Sequence, residues 1–251
     1  MLAVVGGTLL PSVLDGLVAL FGSDGRVACS GVLVADGLVL SAGHCADAEA
    51  VGLGPSGDEH PAEVAEVVLH PDPAVDLSLL RLATPVPGRV WPLSDAVPPV
   101  GEGASIAGYG ATADGADDAG TKRGADTEVV ASTSASLLLF SPEANACSGD
   151  SGGPVTTADD GAVHLVALVT EVDPACVGGR TVGVPLGLGR AWLSEVAPEV
   201  AWGAWSPPDE APVSPRGCAS APGGAPVALP GLLLVRWFCR TGRRASAETG
   251  G

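Results

Sequence analysis

Three residues in this sequence could act together as nucleophile, base and orienting acid: Ser151, His44 and Asp76. Ser151 sits in Gly149-Asp150-Ser151-Gly152-Gly153-Pro154. A serine hydroxyl attacks a carbonyl only when a base takes its proton. Flanking glycines let the backbone turn sharply, so that N–H groups can face a developing oxyanion. The bland alternative is a glycine-rich turn with an idle serine, and two further motifs weigh against it. Ser41-Ala42-Gly43-His44-Cys45 puts a histidine at the end of an apolar strand, with Cys29 sixteen residues before Cys45. The adjacent cysteine is placed to tie the histidine-bearing loop to the strand before it. Asp76 heads Leu77-Ser78-Leu79-Leu80. A carboxylate there is expected to be buried and so to need a hydrogen bond, and a histidine Nδ1–H is a suitable donor.

The order His, Asp, Ser and all three local motifs resemble the chymotrypsin/trypsin family of serine proteases, over about residues 4 to 196. Val4-Val5-Gly6-Gly7-Thr8 is similar to the family's mature N-terminus, and Ile106-Ala107-Gly108-Tyr109-Gly110 to the segment opening its second barrel. The resemblance implies an all-β fold of two antiparallel Greek-key barrels, with the active site in the cleft between them and a short C-terminal helix. It implies a serine endopeptidase that hydrolyses peptide bonds through an acyl-enzyme, with no cofactor and no metal. Ser151 would be the nucleophile, His44 the base and Asp76 its orienting partner. The N–H groups of Gly149 and Ser151 would form the oxyanion hole.

Further roles are implied by the same resemblance. Asp150 would pair with a new α-amino group at Val4, so an activating protease would have to remove Met1-Leu2-Ala3. Cys29–Cys45 and Cys147–Cys176 match two family disulfides, the second bracing the substrate pocket. Without the resemblance, the six cysteines leave disulfides, metal ligands and free thiols open, although the absence of a C-x-x-C pair speaks against zinc. Asn145, six residues before Ser151, falls at the base of the primary pocket, where an amide cannot neutralise Arg or Lys. Thr170-Glu171-Val172 falls on a pocket wall, with Val172 narrowing the entrance and Glu171 able to attract a cation near the rim. Gly183 is expected on the opposite wall. Small or medium uncharged P1 side chains are therefore expected.

The elements that must position these residues read as short strands. The 251 residues hold 36 glycines and 22 prolines but only 4% aromatics, and short Val/Leu/Ala runs recur between turn residues. Val27–Val34 and Gly37–Ala42 are two strands joined by an Ala-Asp-Gly turn. Runs at 63–69, 75–83, 127–140, 153–157, 163–172 and 181–186 add more. Pro85 to Gly103 is a Pro-rich connection between barrels spanning about 4–90 and 100–187. Residues 111–126 read as an exposed loop, and Leu188–Val196 as a closing helix.

The formal net charge is -17, with -19 on residues 1–200 and +2 on the rest. Such an acidic body repels phosphate backbones, which excludes nucleic acid as a partner and leaves protein or peptide substrates. The protease domain is expected over 4–198, with a Pro/Gly-rich linker at 199–224 and an apolar, arginine-ended tail at 225–251. Arg216-Gly217-Cys218-Ala219-Ser220, together with the Pro/Gly spacer, apolar stretch and arginines after it, resembles a myxobacterial-type surface-sorting signal, in which Cys218 would be processed. A spanning helix needs about 17–25 apolar residues. Ala225–Val235 offers eleven uncharged residues before Arg236. Secretion or attachment to the cell surface or membrane is the expected destination. Met1 to Phe21 lacks the basic start of a signal peptide, so the natural start is expected upstream. A non-catalytic protease-fold binding protein at the cell surface is the alternative, usually marked by a lost triad residue.

Overall fold

The computed structural model of the chain describes residues 8–9, 16–159, 162–173, 176 and 178–203. Thirteen strands and one α-helix make up the regular structure of these residues. Six strands close the first barrel: β2 (Leu17–Phe21), β3 (Val27–Ala35), β4 (Leu38–Ser41), β5 (Ala50–Leu53), β6 (Glu59–Leu69) and β7 (Ser78–Leu82). Around it they run β2-β3-β4-β7-β6-β5, all antiparallel. The second barrel comprises β8 (Gly103–Gly108), β9 (Arg123–Ser132), β10 (Leu137–Phe140), β11 (Pro154–Asp159), β12 (Ala162–Val172) and β13 (Thr181–Pro185). Its order, β8-β9-β10-β13-β12-β11, repeats the connectivity of the first, and β8 pairs with β9 to close it. Helix α1 (Arg190–Val196) follows a 3-10 turn at Leu186–Gly189. The fold is therefore the all-β, two-barrel architecture with a short C-terminal helix that the sequence implies.

Burial explains which strands are legible. In β2, all of Leu17–Leu20 are buried. Val18 and Leu20 face the first barrel's interior with Leu33, Val39 and Leu80. Leu17 and Ala19 pack with Ala107 and Tyr109 of the second barrel. A strand with two buried faces is apolar throughout and shows no alternation, which is why the apolar opening of the chain conceals it. Strands β3, β4 and β7 behave alike, with Val32, Val34, Leu38, Leu40 and Leu79 forming a layer with Leu165, Leu168, Val184 and helix residues Trp192 and Leu193. Burying each such side chain contributes roughly 1.5–3 kcal/mol. The barrels are thus held together by the backs of the strands that carry the site.

Three elements differ from expectation. β1 (Thr8–Leu9) pairs with β9 of the second barrel, at Thr8↔Gly124 and Leu9↔Arg123, rather than joining the first. The run at 127–140 is two strands, because Thr133 Oγ1 accepts the backbone N–H groups of Ala135 and Ser136 and turns the chain. The loop expected over 111–126 gives way to strand at Arg123, and Lys122 and Arg123 are buried.

Candidate active site

The pairing of β4 with β7 sets Ser41 opposite Ser78, so the residues just beyond these strand ends share one rim. A 3-10 turn at Gly43–Cys45 follows β4 and carries His44. The Cys29–Cys45 disulfide fastens this turn to β3 and contributes roughly 2–5 kcal/mol. Asp76 immediately precedes buried Leu77 and β7. Its Oδ1 accepts the His44 backbone N–H at 2.9 Å, and its Oδ2 lies 2.8 Å from His44 Nδ1. With Nδ1 protonated and donating, the ring's lone pair sits on Nε2. A β-carbon on Gly43 would stand 2.8 Å from Asp76 Oδ1, so glycine leaves room for the carboxylate. The Asp76 side chain is 33% exposed, not buried as its sequence context suggests. The apolar run after it turns inward only from Leu77 onward.

The Ser151 loop is wedged between the barrels. Gly149 (φ +95°) and Gly152 (φ +79°) adopt backbone conformations that favour glycine. A β-carbon on Gly152 would lie 2.1 Å from Ser41 Oγ and 2.2 Å from the Ser30 carbonyl, so the loop's backbone meets the first barrel without a spacer. The Ser151 carbonyl accepts the Ser30 N–H at 2.8 Å and lies 3.8 Å from Cys45 Sγ, next in chain to His44. Asp150 N–H donates to Cys147 O, and Gly152 N–H to Val169 O. Among the described residues, no group takes up the N–H of Gly149 or Ser151.

Asp150 is 1% exposed. Its carboxylate accepts the N–H groups of Gly110 (2.7 Å) and Cys147 (2.8 Å). Gly108 and Gly110 are needed here, because β-carbons on them would reach within 2.2 and 2.6 Å of the carboxylate. Burial raises its pKa to about 6, against the two hydrogen bonds and the charge of Arg123, which hold it down. The acid therefore binds its proton more tightly folded than unfolded. Asp150's contribution to stability is fully present below about pH 4 and is lost as pH rises through 6. The expected loss is about 2 kcal/mol from pH 4 to pH 7. Urea unfolding of the chain and of Asp150→Asn at both pH values reads it: the gap should move against the natural residue by that amount, and a pH-independent gap rejects it. Val4, expected to supply a cation here, lies outside the described residues. Strand β1, beginning four residues later, runs beside Arg123.

The residues expected around a substrate pocket separate. Asn145 is 1% exposed and donates Nδ2–H to Ser141 O at 3.1 Å. Cys147, two residues after Asn145, is disulfide-bonded to Cys176. A register shift in β12 between Val169 and Glu171 leaves Thr170 without a cross-strand partner in β13, and its hydroxyl donates to Val182 O at 3.4 Å. Glu171 is exposed. Val172 is half-buried against the second barrel's core. Gly183 pairs with Val169, and a β-carbon there would meet Ala167, the Leu168 carbonyl and Val155, each at 3.4 Å. It thus faces the barrel interior, and by strand alternation its neighbour Val182, paired with Glu171, occupies the other face. Val182 escaped sequence reasoning, which has no view of the shift. A groove of about 540 Å³ is lined by Ser148 and Gly149, by Phe21 and Val27 of the first barrel, and by Ala111 and Asp117. Cys29, Cys45 and His44 converge within 4.8 Å, but sulfurs bonded to each other are not thiolate ligands. Cys218 and the tail lie outside the described residues. No helix among the described residues is long and apolar enough to cross a membrane.

Comparison with known proteins agrees with this architecture. The chain is 29% identical over 192 residues to mouse serine protease 56 and 29% identical over 194 residues to the human protein. Each alignment covers 63% of this chain and 32% of the relative, so the chain spans about a third of the length of the curated relatives it matches. The trypsin family profile matches residues 15–189, which take in both barrels. This chain belongs to the trypsin family, the chymotrypsin-like serine proteases.

Proposed function

We propose that this chain is a serine endopeptidase with His44, Asp76 and Ser151 as its catalytic triad. The observation that carries the reading is the double hydrogen bond from His44 to Asp76, on a turn whose next residue abuts the glycine-braced loop of Ser151. Ser151 Oγ attacks the scissile carbonyl while His44 Nε2 takes its proton. The N–H groups of Gly149 and Ser151 hold the oxyanion. Collapse breaks the C–N bond, and His44 returns the proton to the leaving amine. Water, deprotonated by His44, then attacks the acyl ester and frees Ser151 and a carboxylic acid product. Asp76 keeps the proton on Nδ1 throughout and stabilises the imidazolium. Protein or peptide substrates fit this chemistry. Labelling of Ser151 by a fluorophosphonate tests it.

By resemblance to the family, Asn145 stands where a carboxylate would form the base of the primary pocket, and Val172 stands where a glycine would open its entrance. Cleavage is therefore expected after small or medium uncharged residues, and poorly after Arg or Lys. P1 profiling on a peptide library reads this. Asn145→Asp should raise cleavage after Arg or Lys by at least about tenfold, since a buried carboxylate discriminates strongly for a cation. Asn145→Asp with Val172→Gly should raise it further. A natural enzyme that cuts mainly after Arg overturns both assignments and points to Glu171 instead.

The protease unit is assigned to residues 4–198, the linker to 199–224 and the tail to 225–251. Secretion suits the two disulfides, and the tail would attach the protein to the cell surface after processing at Cys218. Cleavage after Ala3 would free the Val4 amine to pair with Asp150, and an activating protease is then a partner.

A further inference from the structure

Ser30 lies in β3, is fully buried, and is the point at which the first barrel grips the Ser151 loop. All four of its hydrogen-bonding groups are engaged. Its N–H donates to the Ser151 carbonyl at 2.8 Å. Its hydroxyl donates to the Gly149 carbonyl at 2.8 Å and accepts the Tyr109 N–H at 2.9 Å. Its own carbonyl accepts the Ser41 hydroxyl at 2.7 Å. The hydroxyl thus spans 79 residues of sequence to one partner and 119 to the other.

We propose that Ser30 is a positioning residue for the oxyanion hole. This rests on the proposed role of Ser151. The two carbonyls that Ser30 holds belong to Gly149 and Ser151, the same two residues whose N–H groups are left without a partner among the described residues. A carbonyl tied at one end restrains ψ of the residue that bears it, and so limits how far that residue's N–H can swing. Gly149, at φ +95° and without a side chain, is held otherwise through the peptide before it, whose Ser148 carbonyl accepts the Ala111 N–H at 2.8 Å. Ser30 binds one carbonyl through its hydroxyl and the other through its backbone, so both residues are tied to one rigid strand, while the Ser148 and Asp150 carbonyls accept the Ala111 and Gly153 N–H groups. The Tyr109 N–H completes the arrangement. It occupies a lone pair of the hydroxyl oxygen, so the hydroxyl proton is left for Gly149, and it comes from the Gly108-Tyr109-Gly110 segment that wraps Asp150. A buried hydroxyl that accepts from one barrel's N–H and donates to the nucleophile loop cannot be replaced by an alkyl group without leaving both partners unpaired.

Such a residue acts only on the transition state. The oxyanion forms during attack, and the ground-state substrate carbonyl depends less on where the N–H groups stand. Loss of one oxyanion donor lowers turnover about 10²–10³-fold. Loss of a residue that positions the donors is expected to lower it less, by about 10–100-fold. The test uses the full chain, with the natural protein first shown to label at Ser151 with a fluorophosphonate. Absence of labelling in the natural protein overturns the triad reading, and this proposal with it. In Ser30→Ala, kcat should fall about 10–100-fold with KM within about threefold. Affinity for a peptidyl boronate, whose tetrahedral adduct places an oxygen in the hole, should fall by the same factor as kcat. The loss should be constant across pH, because hole donors do not titrate, with the histidine limb of the profile unmoved. Ser94→Ala removes another fully buried hydroxyl, outside the site, and should leave kcat unchanged. Should Ser30→Ala fail to fold, Ser30→Thr and Ser30→Val differ from each other only in the hydroxyl. The threonine form should turn over at least about tenfold faster. A Ser30→Ala enzyme that keeps kcat, or that loses through KM alone, overturns the proposal. So do equal rates in the threonine and valine forms, or failure of every variant to fold.

Discussion

Ser151→Ala removes fluorophosphonate labelling entirely and lowers turnover by about 10⁵–10⁶-fold. The expected loss is this large because the hydroxyl is the only atom of the chain that bonds to substrate carbon in the proposed route. What remains is binding and the oxyanion donors, which by themselves leave a small acceleration over water. The change is also structurally mild. The loop is held through backbone groups, with Ser30 N–H on the Ser151 carbonyl and Gly152 N–H on Val169 O, and neither involves the Ser151 side chain. The alanine variant should therefore keep its melting temperature within a few degrees and still bind peptide with near-natural affinity. Purified Ser151→Ala that retains proteolysis would sink the triad assignment. A variant that loses activity only because it unfolds would be visible in circular dichroism and would not count in its favour.

Asp76→Asn is expected to lower kcat by about 10⁴-fold. The carboxylate receives two donors from one residue, the His44 backbone N–H at Oδ1 and the ring at Oδ2. An amide has one oxygen and one NH₂. If the oxygen stays with the backbone N–H, the NH₂ faces Nδ1, which must then accept. That moves the ring proton to Nε2, the atom that has to take the proton of Ser151. The geometry survives and the tautomer is wrong. Because Asp76 is a third exposed, stability should change little, by less than about 1 kcal/mol. The pairing of a large rate loss with a small shift in melting temperature is the diagnostic result. An Asp76→Asn enzyme within tenfold of natural kcat would mean that His44 is oriented by something else.

The Asp150 pH dependence bears on both experiments. Above pH 6 the buried carboxylate is charged and held by two N–H groups, with Arg123 as the described cation acting on it. Chains carrying a free Val4 amine should lose part of that dependence, since a cation at Asp150 offsets the burial that raises its pKa. Activity assays near neutral pH should therefore be run on material of known N-terminus.

Much of the site is legible in the sequence because the chemistry depends on local runs. The Ser151 loop needs glycines at two backbone conformations on either side of Ser151, so its signature is contiguous. His44 and Asp76 each stand just outside a strand of apolar residues, and those two strands pair, with Ser41 opposite Ser78. The fold class is legible for a similar reason: turns at Ala35-Asp36-Gly37 and elsewhere punctuate short apolar runs at strand length. The sequence alone thus determined the barrel class and the acidic charge that disfavours polyanions, and it carries the motifs from which the reacting groups are proposed.

Only the tertiary structure decided which face of a strand looks where. The β2 strand has no alternation to read, because Leu17 and Ala19 pack on the second barrel while Val18 and Leu20 fill the first. Gly183 points into the second barrel, and Val182 takes the opposite face, because pairing with a shifted β12 decides the phase. Asp76 stays partly in solvent because burial starts one residue later, at Leu77. Ser30 looks like any small residue after a cysteine. Its partners are 79 and 119 residues away, and they meet only when two barrels dock face to face. Local sequence records what a residue can do and the periodicity of its strand. Which groups it reaches depends on register shifts and on barrel packing, and both are settled by contacts far apart in the chain.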